Sequence, residues 1–192
     1  MKTLFNPFER FRENQLLVFG GLITIVGSLL GYFFMARFDG VLDLHFGSAV
    51  TIYNPFIDNC VNIFCLSLFL YLAGLLINKK TRLIDVLVVA IIARIPLYFL
   101  TLFNAGGRMS LLGEKIMENV KTDPFKSISG YDVGLIAVSG ILTILVMIWY
   151  IALLFNGFKT AANAKGIKSI LLFIICVILS ELVSKLIISL IP

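Results

Sequence analysis

Apolar positions run along this chain in five long blocks, separated by short segments that hold nearly all of its charge. No Asp, Glu, Lys or Arg falls between Glu13 and Arg37, between Asp58 and Lys79, or between Asp132 and Lys159. A bilayer core about 30 Å thick takes roughly 20 helical residues, each rising ~1.5 Å. The pattern therefore predicts spans over about 16–36, 57–77, 83–103, 133–156 and 169–191. Asp85 and Arg94 interrupt the third span, and Glu181 and Lys185 interrupt the fifth. The expected fold is a single all-α, polytopic membrane domain over 1–192, with the two termini on opposite sides.

Three shorter segments read as ordered surface elements. Asn6-Pro7-Phe8-Glu9 supplies a capping residue, a first-turn proline and an early acidic residue, and Phe5, Phe8 and Phe11 share one face. That predicts a short helix lying in the membrane interface. Met109, Leu112, Ile116 and Val120 make a similar stripe between Met109 and Lys121. Asn54-Pro55-Phe56 and Asp123-Pro124-Phe125 echo the first turn, and nothing around the three triplets repeats at a fixed period, so they read as separate helix starts.

Composition narrows the class. The 192 residues are 59% hydrophobic and 14% charged, with a mean hydropathy of +1.01, an apolar excess that one water-soluble core of this size could not bury. A soluble enzyme or a free nucleic-acid-binding domain is therefore excluded, and the net charge of +5 reads as topology. Lys2, Arg10, Arg12, Lys79, Lys80, Arg82, Lys159, Lys165 and Lys168 fall on one side in short segments. Arg37, Arg108, Lys115, Lys121 and Lys126 fall on the other, spread over longer loops among Asp39, Asp43, Asp58, Glu114, Glu118, Asp123 and Asp132. This asymmetry places the N-terminus in the cytoplasm and the C-terminus outside. Phe8 to Glu13 lead straight into an apolar run too long for a signal-peptide core, so an uncleaved first span is expected.

Four ionisable groups fall inside predicted spans, where each needs a partner or a wet cavity. Asp85 lies a turn from the cytoplasmic end, and Lys185 can extend its amine outward. Arg94 and Glu181 come out roughly 16 and 18 Å deep, so the expected intramembrane polar cluster is an Arg94–Glu181 bridge with Lys185 one turn on. It reads as a buried pair fixing helix docking, as part of a polar pathway, or as groups lying nearer water than the boundaries imply. Gly27 and Gly31 in the first span, and Gly134 and Gly140 in the fourth, mark expected close helix contacts, within the chain or with a second copy.

No catalytic constellation is present. The chain has no H-E-x-x-H, G-x-S-x-G or G-x-x-x-x-G-K-[ST]. His45 is the only histidine and reads as a surface residue with Asp43 the nearest carboxylate in sequence; Cys60, Cys65 and Cys176 read as packing residues. No catalytic residue, metal or cofactor is assigned.

The closing stretch Trp149-Tyr150-Ile151-Ala152-Leu153-Leu154-Phe155-Asn156-Gly157-Phe158-Lys159, then Ala161, Ala162 and Lys165-Gly166-Ile167-Lys168 before the last apolar span, resembles the Yip1 family of small multi-span membrane proteins. The Asn6-Pro7-Phe8 opening and the five spans are also similar. In eukaryotes that family is linked to vesicle traffic and to Rab-type GTPases, through members with a soluble N-terminal region and an Asp-Leu-Tyr-Gly-Pro motif. This sequence lacks both, which argues against GTPase binding and matches the compact prokaryotic members. With the missing catalytic motifs and the small-residue helix faces, the resemblance implies a non-enzymatic scaffold or accessory subunit that binds other membrane proteins or organises lipid; the short tails and the lack of organelle signals point to a bacterial inner membrane. Its partners would be the lipid bilayer and either another membrane protein or a second copy. The alternative is a small transporter or channel component built on Arg94, Glu181 and Lys185.

Overall fold

The computed structural model describes residues 2–47, 49–119 and 128–191. It is an all-α, polytopic membrane fold with five long apolar helical spans. A short helix α1 (Lys2–Phe5) and a 3-10 turn (Pro7–Glu9) precede the first span, α2 (Glu13–Phe33). The second span is α3 (Tyr53–Ile77); the third divides into α4 (Leu83–Ala93) and α5 (Ile95–Leu100). A 3-10 segment (Thr101–Gly107) and a surface helix α6 (Arg108–Asn119) lead on to the last two spans, α7 (Gly130–Ala162) and α8 (Gly166–Ser189).

Local chemistry moves several boundaries from where charge alone put them. The first span begins at Glu13, because the Gln15 side chain folds back to accept the Arg12 backbone N–H at 3.2 Å and fixes the first turn there. It ends at Phe33, since Met35 turns the chain into the left-handed region at φ 52°. The third span is not one continuous helix. Pro96 has no N–H to offer Ile92, and the helix breaks at Arg94, whose carbonyl instead accepts from Leu97 at 2.9 Å. The fourth span extends well past 133–156 at both ends, and Asn163 closes it in the left-handed conformation at φ 49°.

The predicted interfacial helix starting at Asn6 is replaced by α1 and the 3-10 turn. Trp149 Nε1–H donates to the Leu4 carbonyl and Asn156 Nδ2–H to the Phe5 carbonyl, both at 3.0 Å. These bonds stop α1 at Phe5 and draw the segment inward, so that Phe8 packs over Gly157 rather than lying along the membrane plane. The stripe Met109, Leu112 and Ile116 does form on α6, with Leu112 buried. Val120, Lys121, Lys126 and the Asp123-Pro124-Phe125 triplet lie outside the described residues.

The core centres on α4, buried at every position from Val88 through Arg94 and packed between α2, α3 and α7. Gly27 and Gly31 make the intramolecular contacts expected of them. A Cβ on Gly27 would enter the Tyr98 ring, and one on Gly31 would come 2.9 Å from Pro55 and 3.0 Å from the Phe38 ring. Gly134 and Gly140 differ: outside their own helix backbone, nothing among the described residues lies within 4 Å of where a Cβ would stand. No residue from Val133 to Trp149 is buried; Val146, Met147 and Trp149 pack half-buried against the core, and the turns before them are largely exposed.

Gly27→Ala should therefore lower stability by about 1–3 kcal/mol through overpacking. Gly140→Ala should be neutral or slightly stabilising, because Ala is the better helix former. Thermal unfolding of both variants in mild detergent checks the contrast.

Candidate functional site

The connection from α2 to α3 re-enters the helix bundle. Ala36–Arg37 (β1) pairs antiparallel with His45–Phe46 (β2), and between them Phe38 and Val41 are fully buried. The Phe38 carbonyl accepts from Asn62 Nδ2–H at 2.7 Å, nine residues past the start of α3 and hence roughly 13 Å along the span. Irregular backbone survives at that depth only where protein groups satisfy its N–H and C=O. Here they do so residue by residue. Asp58 accepts the Phe38 N–H at 3.2 Å and holds Arg37 in a two-point contact at 2.8 and 3.0 Å.

Val41 and Leu42 carry the main contact. Arg94, fully buried, donates Nη1–H to the Val41 carbonyl at 3.2 Å. Glu181 Oε2 accepts the Leu42 N–H at 2.7 Å. That carbonyl and that N–H belong to one peptide unit. A guanidinium thus stands at the negative end of its dipole and a carboxylate at the positive end, the orientation in which both attract it. Gly40 permits the approach, since a Cβ there would fall within 2.5 Å of both Glu181 carboxylate oxygens.

Arg94 has a second anchor. Its Nε–H donates to Asn59 Oδ1 at 3.2 Å, and Asn59 Nδ2–H donates to Ser28 Oγ at 2.9 Å. Its guanidinium carbon stands 5.7 Å over the Phe38 ring, which meets Tyr98 edge-on at 5.6 Å. Among the described residues, nothing hydrogen-bonds the buried Arg94 Nη2, Asn62 Oδ1 and Tyr150 Oη.

The predicted Arg94–Glu181 bridge does not form. Arg94 and Glu181 converge on the same loop, but no ion pair joins them; the Val41–Leu42 peptide stands between. Glu181 pairs with Lys185 at 3.3 Å, and the half-exposed Lys185 amine reaches outward to Asp43 at 2.7 Å. Asp58, expected in an outer loop, is fully buried inside α3. Asp85 stays at the surface with Arg82, at 3.0 Å, and Arg82 also pairs with Glu13. Sequence reasoning missed Asp58, Asn59 and Asn62, although their i, i+1, i+4 spacing places three polar groups on one side of an apolar helix.

At the outer mouth of the loop, His45 Nδ1 contacts Asp39, not Asp43. The hydrogen bond to the Asp39 carboxylate raises the pKa of His45 above its ordinary value, against a lowering by partial burial. The bond to Asp58 likewise raises that of Arg37. Among the described residues no three His, Cys, Asp or Glu side chains gather as a metal set.

Replacing Arg94 by Met orphans the Val41 carbonyl and leaves Asn59 Oδ1 with only the long bond from Tyr98 Oη–H at 3.5 Å, and should cost about 1–3 kcal/mol for the unmet buried acceptor. Glu181→Gln keeps an oxygen for the Leu42 N–H and should cost less than Glu181→Ala, which leaves that N–H unmet. Denaturation in detergent ranks the three variants. Because the His45 pKa is raised on folding, its pairing contributes fully below the ordinary value of about 6.5 and is lost as pH rises through the raised one. NMR titration should put the His45 midpoint above 6.5, and Asp39→Asn should bring it down. Set against known proteins, the chain matches no protein family, no curated protein and no solved structure.

Proposed function

We propose that this protein is a non-enzymatic membrane scaffold or accessory subunit that docks on other membrane proteins or on a second copy of itself. The observation that carries this reading is the first half of α7. From Val133 to Trp149 no residue is buried within the chain, and Gly134 and Gly140 leave open ground that another helix backbone could approach closely. The polar groups inside the bundle support it too, being engaged mainly in holding the re-entrant loop. The likeness to the Yip1 family belongs to the same proposal and rests on the segment from Trp149 to Lys168.

The proposed setting is a bacterial inner membrane. Contacts of the N-terminal segment with α7, and of Glu13 with Arg82, gather Arg10, Arg12, Lys79, Lys80, Arg82, Lys159, Lys165 and Lys168 toward one end of the bundle. That charge favours a cytoplasmic N-terminus and an external C-terminus.

A transporter or channel component is the second reading. Among the described residues, Arg94 Nη2 and Tyr150 Oη stand unpartnered beside a broken helix and a re-entrant loop, a combination that marks solute sites in transporters.

A mild-detergent pull-down of the full chain, read by mass spectrometry and particle mass, separates the two. The scaffold reading expects a near-stoichiometric membrane partner or a defined oligomer, lost in Gly140→Leu while the unfolding temperature holds. A monodisperse single chain whose liposome flux disappears in a folded Tyr150→Phe variant would support transport instead.

A further inference from the structure

An apolar groove of about 600 Å³ opens on the lipid-facing side of the bundle between the N-terminal segment and α2, α4, α5 and α7. Its volume falls in the range of small-molecule sites. Leu4, Phe11, Leu16, Phe19, Ile95 and Leu153 supply walls of it. The groove is preformed. The bonds from Trp149 to the Leu4 carbonyl and from Asn156 to the Phe5 carbonyl hold the N-terminal segment off α2, and Trp149 is itself braced by stacking on Phe99 at 6.4 Å. From its rim at Thr3 and Gln15 it reaches Ile95, twelve residues past Leu83 and hence roughly 18 Å along the third span. That is the direction an acyl chain takes from the interface toward the bilayer midplane.

The rim carries charge. The Arg10 guanidinium is hydrogen-bonded to Thr3 Oγ1, and Arg12 gives its backbone N–H to Gln15; Thr3 and Gln15 both line the groove. Among the described residues neither arginine has a carboxylate within ion-pair distance, and both are exposed. Arg82 close by differs, being already engaged by Glu13 and Asp85. Arg12 also lines a second cavity, of about 530 Å³ and mixed polar and apolar lining, that shares Phe11 and Leu16 with the groove. Arg10 is tied to the mouth of the apolar slot through Thr3, and Arg12 lines the adjoining cavity with Glu13, Arg82 and Asp85; two guanidinium groups without an ion pair among the described residues suit a phosphate joined to a hydrocarbon chain.

The geometry points to a site for one anionic phospholipid, with an acyl chain in the groove and the headgroup phosphate between Arg10 and Arg12. This goes beyond the scaffold reading and does not depend on it.

Native mass spectrometry of the full chain, released from detergent after titration with phosphatidylglycerol or phosphatidylcholine of identical acyl chains, tests it. The expected result is preferential retention of one phosphatidylglycerol by about tenfold, the scale of one to two cation–headgroup contacts. Arg10→Gln with Arg12→Gln should bring its retention to the phosphatidylcholine level. Lys79→Gln with Lys80→Gln, an equal charge loss elsewhere at the same end, should leave the preference intact. Ile95→Trp, which fills the slot, should lower retention while both arginines remain. Equal retention of the two lipids by the unmodified protein would overturn the site. So would an equal loss of preference in the arginine and lysine pairs, which would reduce the effect to general surface charge.

Discussion

One peptide unit organises the interior of this protein. The carbonyl of Val41 and the N–H of Leu42 lie between Arg94 and Glu181, inside a helix bundle where the Arg94 side is fully buried. An unmet backbone group in hydrocarbon costs several kcal/mol, and a lone arginine at the same depth costs at least ~2.5–3.5 kcal/mol. Each liability answers the other. The loop gives the charges polar partners, the charges give the loop hydrogen bonds, and a direct ion pair would have left the loop without either.

Other local features follow from that arrangement. Gly40 is small because Glu181 must come close, and Gly31 is small because the Phe38 ring folds over it. Pro96 breaks the third span at Arg94, the residue that reaches for Val41. Asp58, Asn59 and Asn62 form a polar face on α3 that secures the entrance and floor of the loop. The outer charges Arg37, Asp39, Asp43, His45 and Lys185 ring its mouth, where water can share the work and individual pairs contribute little.

The spans were legible in the sequence because uncharged runs of bilayer length leave few alternatives. Arg94 and Glu181 were also legible as neighbours, since counting residues from the span ends gave them one depth. Their actual connection was not, because it passes through the backbone of Val41 and Leu42, and backbone polar groups leave no mark in a sequence. Asp58 was misplaced for a related reason. A carboxylate near a span boundary looks like a loop charge until the loop folds back to meet it. The N-terminal segment shows tertiary contacts overriding a local signal: Asn6-Pro7 is a sound helix start, yet bonds from Trp149 and Asn156 claim the carbonyls just before it. Gly27 and Gly140 look alike as letters, but one faces Tyr98 and the other faces nothing among the described residues.

The central claim is that the α2–α3 connection is held as firmly as the helices around it. Backbone hydrogen exchange of the full chain, resolved to the peptides covering Arg37 to Leu44, measures that directly. The Phe38 and Leu42 amides should exchange as slowly as those in the middle of α3 and far more slowly than those of Gly106 and Gly107. Exchange of Phe38 and Leu42 at the rate of those two glycines would contradict it.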